Sequence, residues 1–173
     1  YANRWLIFIA YMVGLSIGVH LLNLLVIPAI VFIYYFKKYE TTKWGIIKSA
    51  ALSIVILGVI MWGIIPGVII VAGWFELLFV NGFGMPFNTG VVIYALLLIA
   101  GLTFGIRYTL KHNHTVVNTI LTCFVVMLIG YSCYAMVVIR SVSNPPIDEN
   151  SPDNVFSLLS YISRDQYGQE PLV

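Results

Sequence analysis

Long apolar stretches, separated by short polar segments, run along most of the chain. The first, over 5–36, is longer than the about 20 residues that a straight helix needs to cross a bilayer. His20 and Asn23 interrupt it. Two interpretations are open: one long, tilted or kinked helix, or two short helices over 5–19 and 22–36 joined by a tight turn, an arrangement that membrane proteins tolerate where protein shields the backbone.

Three further stretches have the length and composition of membrane spans, and they are predicted over 44–65, 91–108 and 116–139. Pro66 and Gly67 predict the end of the first of these spans. The segments between spans are short and carry Lys, Asn, Gly and Pro. The pattern predicts an all-α fold, a polytopic bundle of transmembrane helices.

The stretch over 68–80 is too short to be an ordinary span. It is predicted to re-enter the membrane or to lie in its interface, because this placement gives the clearest charge asymmetry. One side of the membrane then holds Lys37, Lys38, Lys43, Lys48, Arg107 and Lys111, joined by Arg4 in the two-helix interpretation, and the other holds Arg140 and Arg164. The side rich in positive charge is expected to be cytoplasmic.

Composition supports lipid as the main solvent. Hydrophobic residues make up 60% of the chain and charged residues 9%, against roughly 45–50% and about 25% in soluble domains. The net charge of +2 is too small and too scattered for a nucleic-acid surface, so no nucleic-acid partner is predicted.

The composition changes after Arg140. Residues 141–154 are polar, acidic and proline-rich, so they cannot cross lipid. The sequence predicts two regions: a transmembrane region over 1–140 and an extracytoplasmic region over 141–173, which begins a further downstream part. Ser151 is expected to cap a short amphipathic helix that begins at Pro152 and ends near residue 163. Because the chain begins without an initiator methionine, we expect it to be an internal piece of a longer protein.

Polar residues inside apolar sequence are the first candidates for a site. His20 and Asn23, three residues apart, would share a face on a helix, and polar groups at membrane depth often mark a ligand site. The alternative is a hydrogen bond between helices or a cap at the turn. Glu76 is interpreted either as a carboxylate that faces a cavity or as a residue at headgroup level beside Trp74.

The acids after the last span are the second candidates. Asp148, Glu149 and Asp153, close in sequence to Arg140, could orient a polar acceptor, act as a base or bind a cation. The alternative is an ordered loop in which Asn, Asp and Pro supply turns and a helix cap. No metal centre and no cofactor is predicted, although the acids leave a divalent cation open.

Two segments resemble a bacterial family of large multi-spanning membrane proteins, once listed as a domain of unknown function. They read GLSIGVHLLNLL at 14–25 and NPPIDENSPDNVFSLLSY at 144–161, the latter continued by RDQYG at 164–168. That family is similar to the animal transmembrane protein O-mannosyltransferase and, with it, to the C-type membrane glycosyltransferases. The resemblance also favours the two-helix interpretation of 5–36.

The resemblance implies a glycosyltransferase of the bacterial inner membrane. It would transfer a sugar, with mannose suggested by the animal relative, from a polyprenyl-phosphate donor to extracytoplasmic protein acceptors. The catalytic acid is expected upstream of this chain, so no catalytic residue is assigned and the chain alone should be inactive. Arg140 becomes a candidate contact to the lipid phosphate, and Asp148, Glu149 and Asp153 become candidate acceptor contacts.

A non-enzymatic alternative is kept: a membrane transporter, or a scaffold of an envelope assembly. A transporter often shows an inverted repeat of its spans, and none is visible within this sequence.

Overall fold

The computed structural model describes residues 2–163 and residue 168, and this part of the chain is helical, without strands. Four helical stretches are long and apolar enough to cross a membrane, which confirms the predicted fold class. The α-helices are α1 (Ala2–Ile17), α2 (Val26–Lys38), α3 (Lys43–Gly58), α4 (Ile65–Leu77), α5 (Thr89–Lys111), α6 (Thr115–Tyr131), α7 (Tyr134–Val142) and α8 (Val155–Ser163), with a 3₁₀ helix at Leu21–Leu25 and π-helical segments at Val59–Ile64 and Leu78–Gly82.

The first apolar stretch forms two short helices, so the two-helix interpretation is confirmed and the single long helix is wrong. His20 stands between α1 and the 3₁₀ helix in an extended conformation, with φ −159°. Its Nδ1 accepts a hydrogen bond from the backbone N–H of Leu22 at 3.2 Å. The imidazole therefore caps the 3₁₀ turn, because it takes up a donor that the start of a helix leaves without a partner.

One helical run continues from α3 through α4 to Gly82, a length of 40 residues. The predicted helix end at Pro66 and Gly67 is therefore wrong. Proline lacks the N–H of the helical ladder, and its ring crowds the carbonyl four residues earlier. Here Pro66 lies in the first turn of α4, directly after the wider π-helical turns of Val59–Ile64. A re-entrant segment over 68–80 would need a chain reversal that this run does not have, whereas the interfacial alternative stays a prediction.

Close contacts between backbones hold α1 against α6. A methyl group built on Gly130 would lie 2.6 Å from the backbone nitrogen of Leu15, and one built on Gly14 would overlap the backbone of Met127. Such approach of small residues is a common way for membrane helices to pack. The α4–α5 contact repeats the device, because Gly90 lies directly against the backbone of Phe75 and Glu76.

Polar side chains form hydrogen bonds at the end of the bundle that holds the 39–42 and 112–114 turns. The amide of Asn118 in α6 donates to the Thr109 hydroxyl of α5 at 2.9 Å and to the carbonyl of Ile106 at 3.2 Å. The Tyr35 hydroxyl at the end of α2 accepts from the backbone N–H of Thr42 at 3.0 Å. These bonds fix the short turns that bring α3 and α6 back beside the preceding helices.

The four spans alternate in direction, which fixes the grouping of the charges. The spans ending at Lys38 and Lys111 run toward the end of the bundle that holds the 39–42 and 112–114 turns, and the run ending at Gly82 leaves it. Seven cations are grouped with that end (Arg4, Lys37, Lys38, Lys43, Lys48, Arg107 and Lys111), whereas Arg140 is grouped with the other; Arg164 lies outside the described residues. The cytoplasmic assignment of the first end stays a prediction.

The helix after the last span begins later than expected. Asn154, not Ser151, caps α8, because its Oδ1 accepts from the backbone N–H groups of Phe156 and Ser157 at 2.9 and 3.0 Å. Ser151 has a positive φ of 40°. Pro152 is buried rather than helical, so the proline anchors the loop that precedes α8.

Candidate functional site

Three segments distant in sequence meet at one end of the bundle, which we call the loop end: the turn at 18–20, the loop at 83–88 and the loop at 143–154. Asn88 in the second segment and Asp148 in the third line the same cavity. His20 in the first and Glu149 in the third line another. Most of the sequence candidates therefore converge at the loop end.

An apolar cavity of about 550 Å³ lies between α4, α5, α7 and α8. Aliphatic and aromatic side chains form most of its wall. The cavity forms because α8 packs on α4, while α5, α7 and the end of α6 form the remaining sides. Its lining includes Ile69, Ala72, Tyr94, Ala95, Val138 and Leu158. At the loop end the lining becomes polar, with Asn88, Asp153 and Asn154.

A polar compartment of about 300 Å³ adjoins the apolar cavity. Asn88, Val142, Asp153 and Asn154 line both spaces, so the two adjoin at these residues. The remaining wall of the polar compartment is formed by Phe87, Ser141, Asn144, Asp148 and Ser151. It therefore offers carboxylates, carboxamides and hydroxyls next to a hydrocarbon-lined space.

Both carboxylates of the polar compartment are anchored through one oxygen. The buried Ser141 hydroxyl donates to Oδ2 of Asp148 at 2.7 Å. Oδ1 of Asp153 accepts from the Asn154 amide at 2.7 Å and from the Ser157 hydroxyl at 3.1 Å. The described hydrogen bonds thus hold each carboxylate in place through one of its two oxygens.

His20 and Glu149 share a second polar cavity, of about 320 Å³, with Tyr134 and Tyr161. The Tyr134 hydroxyl donates to the carbonyl of Ile17 at 3.3 Å, which ties α7 to the end of α1. Asn23 instead lines a groove between α1 and α2. The expectation that His20 and Asn23 share a face is wrong, because His20 is extended rather than helical.

Glu76 is fully buried, with 1% of its surface exposed. Its carboxylate accepts hydrogen bonds from the backbone N–H of Asn88 and, at 3.1 Å, from that of Val91. These are donors that the start of α5 leaves without helical partners. A negative charge at a helix N-terminus also interacts favourably with the helix dipole. This role accounts for the position of Glu76 without a ligand.

Arg140 is exposed near the end of α7 and lines neither compartment of the two-part cavity. Among the residues described, no three His, Cys, Asp or Glu side chains converge on a point that could hold a metal ion. The polar compartment, with two acids, does not supply the six to eight oxygen ligands of a calcium site from carboxylates alone.

Sequence inspection missed Asn88 and Asn154, which line both spaces. Asn88 has a positive φ of 71° directly before α5, and left-handed asparagine before a helical pattern is a recognisable turn residue. Asn154 could have been found as a cap, because a serine follows it three positions later, and in the structure the hydroxyl oxygen of Ser157 accepts a hydrogen bond from the Asn154 backbone N–H.

Fold and site define an integral membrane protein of helical type, with a polar and partly acidic site where the helices meet their loops. Residues 1–43 match the family model described as the protein O-mannosyl-transferase TMEM260 N-terminal domain. The matched segment covers α1, the His20 turn and α2, and it supports a relation to that transferase. No curated protein and no solved structure matches the chain.

Proposed function

We propose that this chain is part of a membrane glycosyltransferase that transfers a sugar from a polyprenyl-phosphate donor to extracytoplasmic proteins. The observation that carries the proposal is the match of residues 1–43 to an O-mannosyltransferase N-terminal domain. Mannose is the sugar that this relation favours. A C-type glycosyltransferase of a bacterial inner membrane, with the loop end facing outward, is the finer form of the proposal.

The convergence of distant segments supports one site. The family resemblance is carried by residues 14–25 and 144–161, and both segments line the cavity of His20, Glu149 and Tyr161. Two segments separated by more than a hundred residues thus build the same part of the protein. A transferase that joins a membrane-bound donor to a soluble acceptor needs such a junction between its spans and its outer loops.

The proposed roles follow from charge and position. Arg140, exposed near the end of the last span, can contact a donor phosphate at the membrane surface, because guanidinium binds phosphate oxygens in a bidentate manner. Asp148, Glu149 and Asp153 can accept hydrogen bonds from acceptor hydroxyls. The catalytic acid is proposed to lie in a part of the protein upstream of this chain, which therefore supplies positioning and not the base.

The experiment is mass spectrometry of glycans on secreted and envelope proteins, with the full-length gene deleted and then restored. Restoration by the intact gene should recover the glycan and identify the sugar. Glu149→Gln should lower the recovered glycan several-fold, whereas Glu40→Gln, in the loop at the opposite end, should recover it fully. An unchanged glycan profile on deletion, together with an envelope assembly defect, would replace the transferase proposal by the scaffold alternative.

A further inference from the structure

The two-part cavity at the loop end has the chemistry of an amphiphile site. Its apolar part, about 550 Å³, has a volume within the range of ordinary ligand pockets. Its polar part, about 300 Å³, begins at the residues where the hydrocarbon lining stops. A molecule with one hydrocarbon chain and one polar head could place its chain against the apolar wall and its head against the polar wall.

The charges of the polar compartment select the head. Asp148 and Asp153 supply two carboxylates, and none of the described residues that line either part is lysine or arginine. A phosphate head would meet repulsion from both acids, since like charges at close range destabilise each other. The donor phosphate of the proposed transferase reaction therefore does not suit this cavity.

The hydrogen-bonding groups select further among uncharged and cationic heads. The carboxamides of Asn88, Asn144 and Asn154 line the same compartment as the two carboxylates, so its wall contains both donors and acceptors. A sugar hydroxyl both donates and accepts, and it can use each group in turn. A quaternary ammonium head offers no hydrogen bond to the carboxamides of Asn88 and Asn144, which is costly once water is displaced from them.

We propose that the two-part cavity binds an uncharged glycolipid, with its hydrocarbon chain between α4, α5 and α7 and its sugar against Asp148 and Asp153. This proposal assigns Asp148 and Asp153 to the lipid and leaves Glu149, which lines the other polar cavity, as the acceptor contact. The site is separate from the polyprenyl-phosphate donor contact and does not depend on the transferase function. Its ligand is a neutral membrane lipid with a hydroxyl-rich head.

The test is photolabelling of the full-length protein in lipid nanodiscs with a decyl maltoside that carries a diazirine at the end of its chain. Labelled peptides are mapped by mass spectrometry. The label should concentrate on the cavity-lining parts of α4, α5 and α7, and unlabelled decyl maltoside should compete with it. Equal labelling of the lipid-facing helix surfaces would overturn the proposal.

Competing heads test the charge selection directly. Decyl phosphate and decyltrimethylammonium share the chain but not the head, and both should compete at least tenfold less well than decyl maltoside. Competition by decyl phosphate equal to that of the maltoside contradicts the proposal, and preferential competition by the ammonium compound makes the site one for cationic lipids instead.

Two matched pairs of variants separate the chain and head contacts. Ala95→Phe fills part of the apolar cavity and should reduce labelling about fivefold or more, whereas Ala100→Phe, on the same helix but outside the cavity lining, should not. Asp148→Asn should weaken maltoside competition about fivefold, since a hydrogen bond to a charged acceptor is stronger than a neutral one. Glu149→Gln, one residue away and outside this cavity, is the control, and equal effects within either pair would contradict the assignment.

Discussion

Gly130 is a position where a single methyl group should disrupt the packing of two helices. Built on Gly130, the methyl would lie 2.6 Å from the nitrogen of Leu15 and 2.7 Å from the carbonyl oxygen of Tyr11. Both neighbours are backbone atoms of α1, which cannot rotate away as a side chain can. Ordinary contacts need about 3.5–4 Å, so Gly130→Ala must separate α1 and α6 by about 1 Å along their closest approach.

The cost can be isolated by comparison with Gly101→Ala. A methyl at Gly101 meets nothing within 4 Å, so this substitution gains only the helix propensity of alanine over glycine, about 1 kcal/mol. Gly130→Ala gains the same propensity but pays the overpacking cost of about 1–3 kcal/mol. The two variants should therefore differ by about 1–3 kcal/mol in the free energy of unfolding, Gly130→Ala being the less stable.

Reversible unfolding of the full-length protein in mixed detergent micelles measures this difference, with tryptophan fluorescence as the readout. The double variant with Gly14→Ala should cost less than the sum of the single variants, because one separation of α1 from α6 relieves both clashes. Equal stability of Gly130→Ala and Gly101→Ala would refute the close backbone contact. Full additivity in the double variant would show that the two glycines do not share one crossing.

Three further substitutions test local devices by the same unfolding measurement. Glu76→Ala should lower the free energy of unfolding by about 1–3 kcal/mol, because it leaves buried backbone donors at the start of α5 without a partner. Glu76→Gln keeps an acceptor oxygen and should cost less. An equal cost for the two variants would contradict the capping role. Asn154→Ala should lose about 1 kcal/mol of α8 stability, and no loss would mean that another group caps the helix. Gly45→Ala should move the Tyr35 ring, which lies directly over Gly45, and should release the α2–α3 turn to proteolysis; unchanged protease resistance would contradict that contact.

Much of the fold could be predicted from the sequence because apolar length is a strong constraint in a bilayer. Lipid cannot satisfy backbone polar groups, so an apolar stretch of sufficient length has to be a helix. The break near His20 was also predictable, because the stretch is too long for one span and carries polar residues at its middle. The pattern could not show that the helix continues through Pro66, because a π-helical turn before a proline has no signature in the amino-acid composition.

The candidate site was predictable as residue types but not as an arrangement. Asp148, Glu149 and Asp153 are adjacent in sequence, yet the structure divides them: Asp148 and Asp153 face one cavity and Glu149 faces another. The division follows from the loop conformation at 148–153, which depends on a buried proline and two positive φ angles. The role of Glu76 could not be predicted from the sequence around it. Its buried carboxylate caps a helix through a loop twelve residues later in the chain.

The 40-residue helical run carries a consequence for the membrane around the protein. At 1.5 Å per residue it is about 60 Å long, twice the hydrocarbon thickness of about 30 Å. Tilt alone would require about 60° from the bilayer normal, beyond the 0–40° range of transmembrane helices. The run must therefore bend, thicken the bilayer around it or extend beyond the hydrocarbon layer, and its exposed apolar side chains at both ends, such as Trp44 and Leu78, are the ones that meet this mismatch.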